Sequence, residues 1–235
     1  GGARGALSIG ALVLGGAGSA IAAPPAATEG GGSERSFSAD AVRQPFHVVR
    51  TLGALQERIA QGDEPAFAMQ GEVVRQIADE LKAFPPAVWR EPRNRQALIK
   101  YALSGGDPAQ LRLVHLQKLF TESELPLAEG ALAYAEGQRA VALRHLEKVD
   151  IFTLPPSLAG HVALVKAIVI ANTDLARVIR LADEARLLSP GTLVEETAIR
   201  LALEGAIARS DRPKFEALAS RYFRRFPRSP YLTAV

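Results

Sequence analysis

From Phe46 onward the apolar positions recur at three- and four-residue steps: Phe46, Val49, Leu52, Leu55 and Ile59 fall on one stripe. That spacing follows the α-helical turn and predicts an amphipathic helix. The string GDEP at 62–65 interrupts it. Gly62 suits the left-handed residue after a helix, Asp63 can cap the next helix, and Pro65 fits a first turn. A second stripe, Val73, Val74, Ile77, Leu81 and Phe84, runs until Pro85-Pro86 stops it. A third helix is predicted from about Arg93 to Leu103, ending in SGGDP at 104–108. No alternating apolar and polar run bounded by hairpin turns is present, so strands are not expected.

The second half repeats on a longer period. GQRAVALRHLEKV (137–149), TDLARVIRLADEARLLSP (173–190) and SDRPKFEALASRYFRRFP (210–227) each open on a small or polar turn and run helically towards a proline. Those prolines, Pro155, Pro190 and Pro227, are 35 and 37 residues apart. Each segment follows another apolar helix: Leu127–Ala135, Leu158–Ala171 and Leu193–Ala208. Ala142/Leu146, Val178/Ala182 and Phe215/Ala219 take corresponding inward positions. The period is that of tetratricopeptide-type arrays. The expected fold is therefore all-α, antiparallel helix pairs stacked as a tetratricopeptide-like right-handed solenoid over residues 45–235. Ordinary helix pairs without a superhelix would satisfy the same pattern. Either way each pair needs neighbours to bury its second face.

Composition adds to this. Hydrophobic residues make up 48% and aromatics 6%, so the core is built from Ala, Leu, Val and Ile. Net charge is +3, but Asp211 to Arg228 carries six cations against two anions, leaving the remainder at −1. Basicity confined to one end argues against a nucleic-acid binder. The chain has no cysteine, which excludes disulfides and thiolate metal sites.

The N-terminus changes the expected compartment. Arg4, an apolar run from Ala6 to Leu14, small residues and Ala20-Ile21-Ala22 have the layout of a secretory signal peptide over 1–22, cleaved after Ala22. The apolar run is short and glycine-rich for a membrane span. Residues 23–44, rich in Pro, Gly, Ser and Ala, read as a flexible linker. Export to a bacterial periplasm is expected, and the natural chain is expected to extend beyond Val235.

Catalytic chemistry is hard to find. His47, His115, His145 and His161 show no metal-ligand spacing, although His145 and His161 fall on consecutive helices. The Gly-rich strings follow no strand and precede no phosphate-binding lysine. Ser104, Ser157 and Ser189 sit at helix ends, where capping explains them. Glu195-Glu196 open a helix, where negative charge favours the dipole. Neither an enzyme nor a metal or other cofactor is expected.

Two features remain for binding. Trp89 lies in the connector FPPAVWREPRN (84–94), where it either locks the loop onto the core or offers an anchor to a partner. In SRYFRRFPRSPY (220–231), Phe215, Leu218, Tyr222 and Phe226 keep the helical rhythm and face inward. Arg221, Arg224 and Arg225 sit where cations favour a helix end. Arg221, Arg225 and Arg228 are left as a candidate basic edge for an acidic partner.

HVVRTLGALQERIAQGD (47–63), PRNRQALIKYALSGGDP (92–108), LSPGTLVEETAIR (188–200) and SRYFRRFPRSPY (220–231) together resemble the MotC family of periplasmic motility proteins of rhizobia and related alphaproteobacteria. The last two strings are the most specific. The resemblance implies an exported, non-enzymatic protein of the flagellar motor that binds the periplasmic part of the stator protein MotB, in a family whose members continue past this chain's end. Phe226-Pro227 departs from the family pattern. A general periplasmic tetratricopeptide-type adaptor for envelope or cell-wall assembly is the alternative.

Overall fold

The computed structural model describes residues 43–232, and within them the chain is helical without a strand. The signal-peptide reading of 1–22 and all but the last two residues of the 23–44 linker lie outside the described residues. Ten α-helices follow in order. They are α1 (Pro45–Ala60), α2 (Glu64–Ala83), α3 (Pro92–Leu103), α4 (Ala109–Leu116) and α5 (Leu125–Ala135), then α6 (Arg139–Leu146), α7 (Pro156–Val169), α8 (Leu175–Leu188), α9 (Leu193–Ala208) and α10 (Arg212–Arg225). Short 3-10 turns at Pro86–Arg90 and Ile151–Thr153 join α2 to α3 and α6 to α7.

The boundaries have local chemical causes. Asp63, Asp174 and Asp211 cap α2, α8 and α10 by accepting the backbone N–H of Ala66, Arg177 and Lys214 at 2.9, 2.9 and 3.1 Å. Gly62 takes φ +87° after α1, as the GDEP string predicts. The helix α4 was not among the elements expected from the sequence. It is short, and only Gln110, Leu111 and Val114 are buried on it, which is too brief a stripe to stand out.

Neighbouring helices pack as hairpins: α1 with α2, α5 with α6, α7 with α8, α9 with α10. The expected inward positions hold at Ala142, Leu146, Val178 and Ala182, all fully buried, while Phe215 and Ala219 pack partly buried against the core. At α5/α6 the approach is close enough that a Cβ on Gly130 would come within 2.6 Å of Leu146. Two helices are enclosed. Every residue of α7 from Leu158 to Ile168 is buried, as is every residue of α9 from Leu193 to Leu203. A helix surrounded on all sides needs no polar face, which is why α7 reads as an almost continuous apolar run, whereas α9 also encloses Glu195, Glu196, Thr197 and Arg200.

The helices α1, α3, α7 and α9 touch in a closed circuit, α1 meeting both α3 and α9, and α7 meeting both α3 and α9. An array in which repeats touch only their neighbours would keep its ends apart. Here the first helix and the ninth are in contact, and the C-terminal segment is drawn to the N-terminal hairpin. No helix among the described residues is long and apolar enough to cross a membrane.

Candidate functional site

The arginine-rich string near the C-terminus is docked, and its socket is the start of α9. Thr192 caps that helix: its hydroxyl accepts the Glu195 N–H at 3.4 Å and donates to the Ser189 carbonyl at 2.7 Å. Glu195 in turn accepts the Gly191 N–H at 2.6 Å. Because α9 is enclosed on all sides, Glu195 and Glu196 are buried with it, at 1% and 0% exposed. Two carboxylates so placed require partners, and α10 with its continuation supplies them.

Arg225 donates from Nε to Glu195 Oε2 at 3.3 Å, and Arg221 reaches Glu195 Oε1 at 3.8 Å. The Tyr222 hydroxyl donates to Glu196 Oε1 at 2.8 Å, and the Ser229 hydroxyl donates to the same oxygen. Arg200, one turn along α9, stands 4.0 Å from that oxygen and stacks on the Tyr231 ring at 4.6 Å. Burial pushes the Glu196 carboxyl above its ordinary range, although Ser229, Arg200 and Tyr222 all favour its charged form. Burial and the Glu196 charge push the Tyr222 phenol up as well.

Beyond the helix the segment continues to the N-terminal hairpin. Pro227 follows α10, and Arg228 crosses so close to Gly62 that a Cβ there would lie 2.4 Å from the Arg228 carbonyl oxygen. Tyr231 then meets Phe67 of α2 edge-on at 5.6 Å. The segment is a clasp between α9/α10 and α1/α2.

The candidate basic edge is thereby located. Arg221 and Arg225 keep 47% and 48% of their side chains in solvent while pairing with Glu195, and Arg228 is exposed. Trp89 stands outside that row, in the connector before α3. It is 1% exposed and edge-on to Phe84, and its carbonyl accepts from Arg95 at 3.1 Å. Arg95 is itself buried and bidentate to Glu124 at 3.0 Å for both bonds. His145 and His161 part company: His145 lies 2.9 Å from Glu129, and His161 Nδ1 sits 3.1 Å from the Ser157 carbonyl. No cluster of three or more potential metal-ligating side chains occurs among the described residues.

Their first-turn position alone marks Glu195 and Glu196 as ordinary dipole-favouring residues and gives no sign of their burial. The available signal was weak: apolar residues from Ala198 to Leu203, interrupted by Arg200, point to an enclosed helix, but they do not single out its first turn.

The two most specific of the four strings that carry the family resemblance, LSPGTLVEETAIR and SRYFRRFPRSPY, are therefore the two halves of one contact. A profile of the family described as "Chemotaxis protein MotC" matches residues 3–234. The chain belongs to the MotC family. A curated relative, the chemotaxis protein MotC of Rhizobium meliloti (strain 1021), is 27% identical over 187 residues, which is 80% of this chain. The chain spans 43% of that relative's length. No solved structure matches.

Proposed function

We propose that this MotC-family chain is a non-enzymatic periplasmic protein of the flagellar motor that docks on the periplasmic part of the stator subunit MotB and supports rotation. The observation that carries the reading is membership of a family described as a chemotaxis protein, matched over residues 3–234. The signal-peptide layout of residues 1–22 supports export. Arg221, Arg225 and Arg228 make the candidate docking edge.

The burial of Glu195 alters how that edge is tested. Reversing Arg221 or Arg225 sets two anions together inside the clasp, so loss of binding would follow from loss of structure. Arg228 is exposed, and its reversal leaves Glu195 paired. The test is binding of the full-length protein to a purified stator periplasmic domain, together with swimming of a deletion strain. Binding that Arg228→Glu weakens, and loss of swimming on deletion, are the expected results. Absent binding with intact swimming would leave the envelope adaptor as the better reading.

A further inference from the structure

A cleft of about 720 Å³ opens between α1, α3 and the start of α7. Arg50, Arg93 and Lys100 line it, against one carboxylate, Glu57. Among the described residues none of these three cations is held in an ion pair, unlike Arg95, Arg112, Arg177 and Arg186 elsewhere on the fold. The Arg93 guanidinium lies 4.6 Å over the Phe46 ring, which fixes it at the rim. Gly53 leaves the α1 wall bare beneath Lys100: a Cβ there would meet the ammonium at 3.8 Å and nothing nearer.

Lys100 is the most deeply buried of the three cations, intermediate where Arg50 and Arg93 are exposed. Burial lowers the Lys100 ammonium, with Glu57 opposing, so this cation has lost hydration without gaining a close counter-charge. Ser157 brings the positive end of α7 to the cleft, and Pro155 before it offers no side-chain cap.

A second lobe of about 550 Å³ adjoins the first and shares Phe46 and Arg93 with it. Its other walls are Gln44, Ala87, Val88 and Glu91. Two adjoining lobes suit an extended chain better than a compact anion. Glu91 disfavours a second negative group, while Ala87 and Val88 suit an apolar one.

We propose that this cleft seats an extended acidic segment of the protein partner, with a carboxylate meeting Arg50, Arg93 and Lys100 and an apolar side chain entering the lobe beside Val88. The inference rests on the proposed function only in taking a protein as the occupant. The site lies on α1, α3 and α7, whereas the clasp arginines lie on α10 and beyond.

The test uses the full chain and a fluorescein-labelled peptide of alternating Glu and Leu. Its Gln-Leu counterpart and inorganic phosphate are the controls. Fluorescence anisotropy should show binding that weakens with salt, and weakens about tenfold or more in Arg50→Glu/Arg93→Glu. Gly53→Leu fills the cleft without changing charge and should also abolish binding; melting curves verify both folds. Equal binding of the Gln-Leu peptide, unchanged binding by both variants, or displacement by phosphate alone would overturn the proposal. A parallel arm uses the stator domain. Peptide bound in the cleft with no stator binding upholds the cleft and defeats the motor reading. Stator binding indifferent to both variants defeats the cleft alone.

Discussion

Tyr222 and Glu196 meet inside the protein, the phenol donating at 2.8 Å to a carboxylate without solvent exposure. This contact ties the last helix to the enclosed one, and Ser229 extends it into the clasp. Tyr222→Phe removes one of two hydroxyl donors from a buried acceptor and should cost about 1–3 kcal/mol. Glu196→Gln keeps an acceptor and discards the buried charge, so it should cost less than Glu196→Ala. Urea unfolding with unchanged slope measures both.

Acid should act on the protein in two opposed ways. Burial raises the Glu196 carboxyl above 4.5 in the folded state. Its contribution is therefore full below the unfolded value and is lost as pH rises through the folded one. Asp183 is opposite: burial pushes it up, but hydrogen bonds from Lys214 and Arg186 win and hold it below 3.8. Its contribution is present above the unfolded value and lost as pH falls through the folded one. Melting temperatures from about pH 7 to 3 should fall less steeply in Asp183→Asn and more steeply in Glu196→Gln than in the parent.

Arg225 serves Glu195 from a half-exposed position, so solvent screens part of what it contributes. Arg225→Ala should cost about 1 kcal/mol, and Arg221→Glu/Arg225→Glu about 2–4 kcal/mol because Glu195 is then left unpaired beside like charges. Arg228→Glu should stay within about 0.5 kcal/mol. Chemical denaturation of the three variants decides between a clasp and a bare basic edge.

Gly62 combines φ +87° with a Cβ position already occupied by the backbone and Cβ of Arg228. Gly62→Ala should cost about 1–3 kcal/mol through strain alone. Because the clash lies at the clasp, hydrogen exchange should quicken first in residues 228–232 and only later in α7.

Arg95 donates to the carbonyls of Trp89 and Arg90 and pairs with Glu124, all from a buried position. Arg95→Met leaves Glu124 with only its Thr121 donors and strips two carbonyls of a partner, and should cost about 2–4 kcal/mol. The chain has a single tryptophan, so its emission reports the connector directly. A red shift preceding global unfolding is the expected signature.

Most helices were readable because each carries its own punctuation. Asp63, Asp174 and Asp211 act on N–H groups three residues away, and the prolines act on their own φ, so these effects survive any tertiary context. The stripes of α1 and α2 and the enclosed runs of α7 and α9 follow from how much of each helix meets water. The candidate site was readable only in part. Tyr222 and Phe226 were placed inward by their spacing, whereas the guanidinium partners of Glu195 lie 26 and 30 positions along the chain. No local pattern records a pairing over that distance.

The sequence by itself determined an all-helical chain, its turns, its apolar faces and its family, because short-range backbone chemistry and helical periodicity are written in neighbouring residues. Only the tertiary structure decided that α1 meets α9, that Glu195 and Glu196 form the socket of a clasp, and that Arg50, Arg93 and Lys100 face one cleft. Those relationships depend on which surfaces stack. Stacking is set by many weak apolar contacts acting together, and no single residue in the chain encodes it.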